Sequence, residues 1–309
     1  MTAPSLPVDF LARFRAVRKL MVERCATVES GRRAATLLHR IETRVQRPPR
    51  IVLLGETNSG KSTLANHLLH RALLTTDIVR NTRAPVLVRY APVPFVQART
   101  PDGTPHLLTT HAATRPRLDE IERVEVGVPI EALRDFEILD LPGLTTDTAD
   151  VERARRLCAT AHMAIWCTVA SQAWRASELA LWTALSTRFG QSSVLAVTHV
   201  DGLGAADRDK VSRRLERTAG QRFRSIVLVT EDAAPVVDNA VDHPEDCARG
   251  ATASRLDFRD VVRAAAAEVQ AERHKSAGRV VRKFADRLTR ETRARRATRS
   301  AIDATAGRA

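Results

Sequence analysis

The sequence has few cysteines and few aromatic residues. Only 4 of its 309 residues are cysteine, and aromatic residues make up 4%. The cysteines are far apart and lack the close pairs that bind zinc: they are Cys25, Cys158, Cys167 and Cys247. We therefore expect reduced thiols rather than a disulfide framework or a zinc site. The 9 histidines form no metal-like cluster, so we assign them no metal centre.

Long apolar segments are also missing. No run of about 18 or more apolar residues occurs, so we expect no membrane-spanning helix. Residues 1–8 lack the apolar core of a secretory signal peptide. These two absences predict a cytoplasmic protein, and they leave open a peripheral position at the inner face of the membrane.

The formal net charge of +13 comes entirely from the two ends of the chain. Residues 1–50 carry +7 and residues 255–309 carry +8, whereas residues 51–254 carry −2. Such basic ends favour polyanions, either anionic lipid or nucleic acid. A merely solvated helical face is the alternative interpretation.

Apolar, β-prone runs alternate with helical patterns between residues 51 and 230. The runs lie at 51–54, 86–90, 123–128, 136–140, 163–169, 193–198 and 225–230. Helical patterns at 62–70, 149–161, 176–189 and 206–219 separate several of them. This alternation predicts an α/β fold with a mostly parallel sheet that is covered on both faces. A turn at residues 101–104 predicts an inserted hairpin.

Both ends of the chain carry helical patterns. Apolar residues recur at helical spacing over residues 1–47, and a long helix is predicted from Ser254 to about Ser300, with Ser254 and Asp257 as a capping pair. Because each helix has a thin apolar stripe, we expect the two ends to pack as a small helical bundle. The predicted divisions are a helical segment at 1–47, an α/β domain at 48–253 and a basic helix with a frayed end at 254–309.

Residues 55–62 fit the phosphate-binding pattern G-x-x-x-x-G-K-[ST], between an apolar strand and a helix. In this context backbone N–H groups turn toward phosphate oxygens, and the helix N-terminus adds its positive dipole end. Lys61 is predicted to reach the β- and γ-phosphates, and the Ser62 hydroxyl to bind Mg²⁺. The predicted nucleotide-binding residues of this P-loop are Gly55, Glu56, Thr57, Asn58, Ser59, Gly60, Lys61, Ser62 and Thr63.

Two further motifs follow apolar strands. The first is D-L-P-G, in which Asp140 can hold the Mg²⁺ shell through water and the Gly143 N–H can sense the γ-phosphate. The second is T-H-V-D, which resembles the guanine reader [NT]-K-x-D with His199 in place of lysine. The Asp201 carboxylate would accept hydrogen bonds from guanine N1 and N2, which adenine cannot donate. Thr198, His199 and Asp201 therefore indicate GTP, with an acidic turn after a strand as the alternative.

Together these motifs resemble the dynamin-like GTPases, especially their bacterial members. The P-loop is similar to their G-E-F-N-x-G-K-S-T, with Thr57 replacing the aromatic residue, and D-L-P-G is their D-x-P-G form. Residues 73–85 resemble their first switch, in which a threonine closes over Mg²⁺; Thr82 matches best, with Thr75 and Thr76 as alternatives. The resemblance covers about residues 50–230. It implies a P-loop GTPase domain with an enlarged sheet, flanked by helices.

The resemblance also implies a reaction, in which water attacks the γ-phosphate of GTP to give GDP and phosphate. The implied catalytic residues are Lys61, Thr82, Asn58 and Gly143. The implied metal-binding residues are Ser62, Thr82 and, through water, Asp140. Because Leu144 stands where a water-orienting side chain would be, we expect dimerisation across the nucleotide face to complete the site and to accelerate a slow basal turnover.

The implied partners are a second copy of the chain or a larger dynamin-like protein, and an anionic membrane surface contacted by the basic terminal helices. One alternative is a nucleotide-gated GTPase that binds RNA or the ribosome through residues 287–299. Only Phe284 could stack on bases there, which makes nucleic acid the weaker partner. The other alternative is a nucleotide-binding module with little turnover. The fifth nucleotide motif has only a positional match at residues 229–231.

Overall fold

The computed structural model describes residues 29–75, 84–108, 120–189, 192–230 and 257–306, together with positions 12, 14–16, 19 and 117. The chain divides into two compact units. The sheet unit spans Pro48–Val269, and the helical unit combines Met1–Arg47 with Gln270–Ala309. Within the described ranges, no helix combines the length and the apolar character needed to cross a membrane.

A mixed sheet, nine-stranded within the described ranges, forms the centre of the sheet unit. Its strands are β1 (Arg50–Leu54), β2 (Val86–Tyr90), β3 (Phe95–Arg99), β4 (Pro105–Leu107), β5 (Arg123–Val128), β6 (Glu137–Asp140), β7 (Met163–Val169), β8 (Val194–Thr198) and β9 (Ser225–Leu228). The order across the sheet is β4-β3-β5-β2-β6-β1-β7-β8-β9. Most neighbouring pairs are parallel; β2–β6, β3–β4 and β3–β5 are antiparallel. The predicted α/β fold with an enlarged, mostly parallel sheet is confirmed.

Helices cover both faces of this sheet. The helices of the described residues are α1 (Glu29–Gln46), which belongs to the helical unit, and α2 (Lys61–Leu69), α3 (Thr148–Cys158), α4 (Ala176–Leu185), α5 (Ala205–Ala219) and α6 (Phe258–Ala306). Leu64 of α2 and Phe258 of α6 are buried in the core on one face. Leu181 of α4 and Leu215 of α5 are buried in the core on the other face. The central strand β1 therefore has apolar side chains on both sides, because Ile51 and Leu53 lie in one core and Val52 and Leu54 lie in the other.

The strands between β1 and β6 in the chain enlarge one side of the sheet. Strands β2 to β5 lie beyond β6, and β3 and β4 form the predicted hairpin. Its turn is closed by Asp102, whose carboxylate accepts hydrogen bonds from the Thr104 N–H at 3.0 Å and from the Thr100 hydroxyl at 2.6 Å. Gly103 adopts a φ of 85° there, a conformation that side chains disfavour.

Helix α6 begins at Phe258, and Ser254 lies outside the described residues. Asp257 caps this helix, because its Oδ1 accepts a hydrogen bond from the Arg259 N–H at 3.1 Å. The sheet unit extends to Val269, beyond the boundary expected at residue 254. The physical reason is burial: Phe258 and Val262 are 4% and 0% exposed within the core of the sheet unit.

The helical unit is a small bundle of α1 and the later part of α6. Leu38 and Val45 of α1 are buried with Ala277 and Val281 of α6. The Gln270 side-chain amide donates a hydrogen bond to the Val45 carbonyl at 2.8 Å. The thin apolar stripes noted in the sequence therefore pack against each other, as expected.

A buried carboxylate ties together the added strands. Glu125 of β5 is 3% exposed and accepts hydrogen bonds from Arg99 Nε at 2.6 Å, Gln97 Nε2 at 2.8 Å and Arg123 Nε at 2.9 Å. Burial raises the pKa of Glu125, but these hydrogen bonds outweigh it, so the net pKa is lowered. The carboxylate therefore stabilises the fold in its charged form.

We expect Glu125→Gln to lower the free energy of unfolding by about 1–3 kcal/mol at neutral pH, since it leaves partly buried arginine donors without a charged acceptor. Because the pKa is lowered in the folded state, this contribution is present above the unfolded pKa of about 4.3 and is lost as the pH falls. Urea unfolding at pH 7 and near pH 4 measures both effects. Glu131→Gln is the control, because Glu131 is 79% exposed in its ion pair with Arg134. Equal destabilisation by both variants, or a difference that does not change with pH, would contradict this account.

Candidate functional site

The phosphate-binding loop connects β1 to α2 at the carboxyl edge of the sheet. Gly55 has a φ of 147°, and a Cβ there would lie 2.4 Å from the Cys167 carbonyl oxygen. Gly60 has a φ of 81° and is the residue before α2. Asn58 also adopts a positive φ, of 61°. The loop therefore needs its glycines both for conformation and for close approach to β7.

Lys61 is buried within this loop. It is 7% exposed, and its Nζ donates hydrogen bonds to the carbonyls of Gly55 at 3.0 Å and Glu56 at 2.7 Å. Burial lowers the pKa of the Lys61 ammonium, while Cys167, Asp140 and Glu56 act in the opposite direction. The ammonium therefore lies inside the loop, where it could donate hydrogen bonds to a bound phosphate.

The predicted metal-binding pair is in direct contact. The Ser62 hydroxyl donates a hydrogen bond to Asp140 Oδ2 at 2.8 Å. Burial raises the pKa of Asp140 to about 6, with the Ser62 hydrogen bond and the Lys61 charge opposing the shift. The other oxygen, Oδ1, is buried and has no hydrogen-bond partner among the described residues. Hydroxyl and carboxylate oxygens are ligands that suit Mg²⁺ and its bound waters, so this donor set fits the predicted ion.

The D-L-P-G motif packs directly on the P-loop. A Cβ at Gly143 would lie 2.5 Å from Thr57 Oγ1 and 2.6 Å from Thr57 Cα. The Leu144 N–H donates a hydrogen bond to the Gly55 carbonyl at 3.0 Å. A cleft of about 380 Å³ lies between these segments and is lined by residues 57–63, Leu74, Ala84, Val86 and residues 140–143.

The T-H-V-D motif follows β8 and also reaches the P-loop. The Thr198 hydroxyl lies 3.0 Å from the Ser59 carbonyl and 3.2 Å from the Thr168 carbonyl. His199 is exposed and has a φ of 55°, and Asp201 is exposed. Thr198 thus fixes the motif beside the P-loop, whereas His199 and Asp201 face outward.

The structure brings the P-loop and the D-L-P-G motif together around the cleft and places Thr198 against the P-loop, but it does not describe all of the expected site. Thr82 and the alternative Thr76 lie outside the described residues, as do Glu231 of the fifth motif and the side chain of Thr75. Thr82 therefore remains a sequence prediction.

The comparisons with known proteins agree with the motifs. The model of the dynamin family matches residues 51–199. The chain is 25% identical over 185 residues to Dynamin-like protein 2 of Campylobacter jejuni, covering 58% of this chain and 30% of that protein. It is 34% identical over 128 residues to the isoniazid-induced protein IniC of Mycobacterium tuberculosis, covering 39% of this chain and 26% of that protein. Residues 51–199 therefore match the dynamin family, and the chain is similar over part of its length to a bacterial dynamin-like protein.

Solved structures share the fold of this chain. Two structures of an oligomerised bacterial dynamin pair align with TM-scores of 0.51 and 0.50, at 20% and 18% identity. The aligned regions cover 63% and 73% of this chain and 33% and 37% of the two dynamin chains, respectively. That oligomerised pair provides a mechanism for the long-range sensing and tethering of membranes. The chain therefore spans about a third of the length of these relatives.

The sequence did not reveal one contact at the P-loop of this GTPase. The Glu56 carboxylate forms an ion pair with the Arg175 guanidinium, although the two residues are 119 positions apart. Arg175 immediately precedes α4, and its N–H donates a hydrogen bond to the buried Glu178 carboxylate at 3.0 Å. No local pattern in the sequence links an arginine at the start of α4 to the P-loop.

Proposed function

We propose that this dynamin-like GTPase binds GTP and hydrolyses it to GDP and phosphate, with a slow basal rate that rises on self-association. The observation that carries the proposal is the cleft in which Lys61, the Ser62–Asp140 pair and Gly143 meet. Each of these groups has a role in phosphoryl transfer: charge neutralisation, metal binding and contact with the γ-phosphate.

The guanine preference is supported by the position of the T-H-V-D motif. Because the Thr198 hydroxyl contacts the Ser59 carbonyl, residues 198–201 lie beside the loop that would hold the phosphates. The exposed Asp201 carboxylate can then accept the two hydrogen bonds that guanine offers and adenine does not. We therefore propose GTP rather than ATP as the substrate.

The proposed metal-binding residues are Ser62 and Asp140, with Thr82 joining them from the first switch. The buried Asp140 Oδ1, which has no partner among the described residues, suits a water of a hydrated cation. When bound, Mg²⁺ supplies positive charge that neutralises phosphate oxygens. Ser62 and Asp140 would hold it beside the P-loop, while Lys61 binds the phosphates directly.

Self-association is proposed because the D-L-P-G motif gives no side chain that could orient water. Leu144 is 6% exposed and apolar, whereas the P-loop contributes polar side chains such as Thr57 and Asn58 to the cleft. A second copy docking on the nucleotide face would complete the site. A larger dynamin-like protein could take the place of the second copy. The basic ends of the chain favour binding to an anionic membrane surface.

We expect the rate of phosphate release per subunit to increase with protein concentration, since pairing brings the missing groups to the site. The measurement is steady-state phosphate release from GTP over a hundredfold protein dilution, with and without vesicles containing anionic lipid. Vesicles should raise the rate of dilute samples by concentrating the protein at their surface. A rate per subunit that stays constant over the whole series would exclude activation by self-association.

A further inference from the structure

A second cavity adjoins the same P-loop residues as the nucleotide cleft. It has a volume of about 210 Å³ and shares Thr57, Asn58 and Ser59 with that cleft. Its remaining lining comes from Glu56, from Thr168 and Val169 at the end of β7, from Ser171 and Gln172 after it, and from Arg175 and Glu178 at the start of α4. Arg175 is therefore the cationic side chain among the described residues that line this cavity.

The backbone of Arg175 is held firmly. Its N–H donates a hydrogen bond to Glu178 Oε2 at 3.0 Å, and this carboxylate is 3% exposed. Glu178 also accepts hydrogen bonds from Trp166 Nε1 at 3.1 Å and from the Thr168 hydroxyl at 3.0 Å. Trp174 packs edge-on against Trp166 with a ring-centroid distance of 6.3 Å. The network fixes the start of the Arg175 side chain beside the P-loop.

The guanidinium itself is less constrained. The Arg175 side chain is 50% exposed, and its partner Glu56 is 19% exposed. A half-exposed ion pair is weak, so its partners can separate when a better partner arrives. A phosphate group is such a partner, because guanidinium binds phosphate and carboxylate oxygens with the same forked geometry.

We infer that Arg175 is a further catalytic residue of the proposed GTPase reaction. In the free protein it is held by Glu56, and in the transition state it donates hydrogen bonds to oxygens of the γ-phosphate bound at Thr57 and Asn58. This inference rests on the proposed GTP hydrolysis. Arg175 would supply a second positive charge from within the chain, in addition to that of Lys61.

The reaction that Arg175 would assist is a hydrolysis. The water oxygen forms a bond to the γ-phosphorus, and the bond from that phosphorus to the β–γ bridging oxygen breaks. The electron pair of the broken bond remains on GDP, and one water proton passes to the released phosphate or to solvent. Arg175 would stabilise the negative charge on the γ-phosphate oxygens as this exchange proceeds.

A simpler role for Arg175 is to neutralise Glu56 and so prevent it from repelling phosphates. The two roles differ in a double-mutant cycle made of Arg175→Ala, Glu56→Gln and the double variant. If Arg175 acts on phosphate, Glu56→Gln frees it and raises kcat by up to about fivefold. Arg175→Ala then lowers kcat by about 100-fold, and the double variant stays as slow. If Arg175 only neutralises Glu56, the double variant recovers the rate of Glu56→Gln.

The experiment measures kcat and KM for GTP, the affinity for GDP, and the affinity for GDP with aluminium fluoride, which mimics the transferring phosphoryl group. Arg175→Ala should keep the GDP affinity within about threefold and lose about 100-fold in binding of the mimic. Arg279→Ala is the matched control, because Arg279 forms an ion pair with Glu272 at 3.1 Å in the helical unit.

These measurements separate the inference from the proposed function. Absence of GTP turnover in the unmodified protein would overturn the proposed hydrolysis, and binding of the mimic would still test Arg175. Unchanged binding of the mimic by Arg175→Ala, or recovery of kcat in the double variant, would overturn the catalytic role of Arg175.

Discussion

Lys61→Ala is expected to lower the rate of phosphate release from GTP by at least about 100-fold, the largest effect expected for any single side chain of the site. Lys61 is 7% exposed, and its Nζ lies 3.0 Å from the Gly55 carbonyl and 2.7 Å from the Glu56 carbonyl. This buried ammonium would neutralise part of the negative charge of a phosphate bound in the loop. Alanine removes the charge and the Nζ donor that the Gly55 and Glu56 carbonyls share, so GTP affinity should also fall.

Lys210→Ala is the matched control for this variant. Lys210 lies on α5 with its side chain 71% exposed, in an ion pair with Asp207 at 2.9 Å. We expect its phosphate release and GTP affinity to match those of the unmodified protein. Phosphate release that is equally fast in Lys61→Ala would mean that the P-loop does not perform the reaction.

Gly143→Ala is expected to reduce phosphate release by about 100-fold and to lower the free energy of unfolding by about 1–3 kcal/mol. The added Cβ would lie 2.6 Å from Thr57 Cα and 2.5 Å from Thr57 Oγ1. Because one of these atoms belongs to the backbone, the D-L-P-G motif and the P-loop must move apart. A displacement of about 1 Å at a reacting group can cost about 100-fold in rate. Steady-state phosphate release and thermal unfolding together measure the effect.

Gly202→Ala provides the comparison, since a Cβ there would meet no atom within 4 Å. It lies in the loop after β8, close in sequence to Asp201, and should retain both rate and stability. A Gly143→Ala protein with unaltered turnover would show that close packing of this motif on the P-loop is unnecessary for catalysis.

Much of this site could be predicted from the sequence because its motifs are local. Gly55, Lys61 and Ser62 share one turn between a strand and a helix, so their spacing alone indicates a phosphate site. Asp140 was placed near them because it ends a strand of the same parallel sheet. In the structure the Ser62 hydroxyl lies 2.8 Å from the Asp140 carboxylate.

Other features could not be predicted, because they depend on side chains that meet only in the folded chain. The Glu56–Arg175 pair joins residues 119 positions apart. Glu125 gathers donors from β3 and β5 of the enlarged sheet, and strand pattern alone does not specify that pairing. The start of α6 belongs to the sheet unit because Phe258 is buried there, which helical periodicity does not reveal.

We propose that this dynamin-like chain hydrolyses GTP at the cleft between its P-loop and its D-L-P-G motif. The most direct test is phosphate release from GTP and from ATP by the purified protein, measured beside Lys61→Ala. We expect release of phosphate and GDP from GTP and little release of phosphate from ATP. The rate of phosphate release from GTP should be at least about 100-fold lower in Lys61→Ala. Release that is equal for the two nucleotides, or equal in the two proteins, would contradict it.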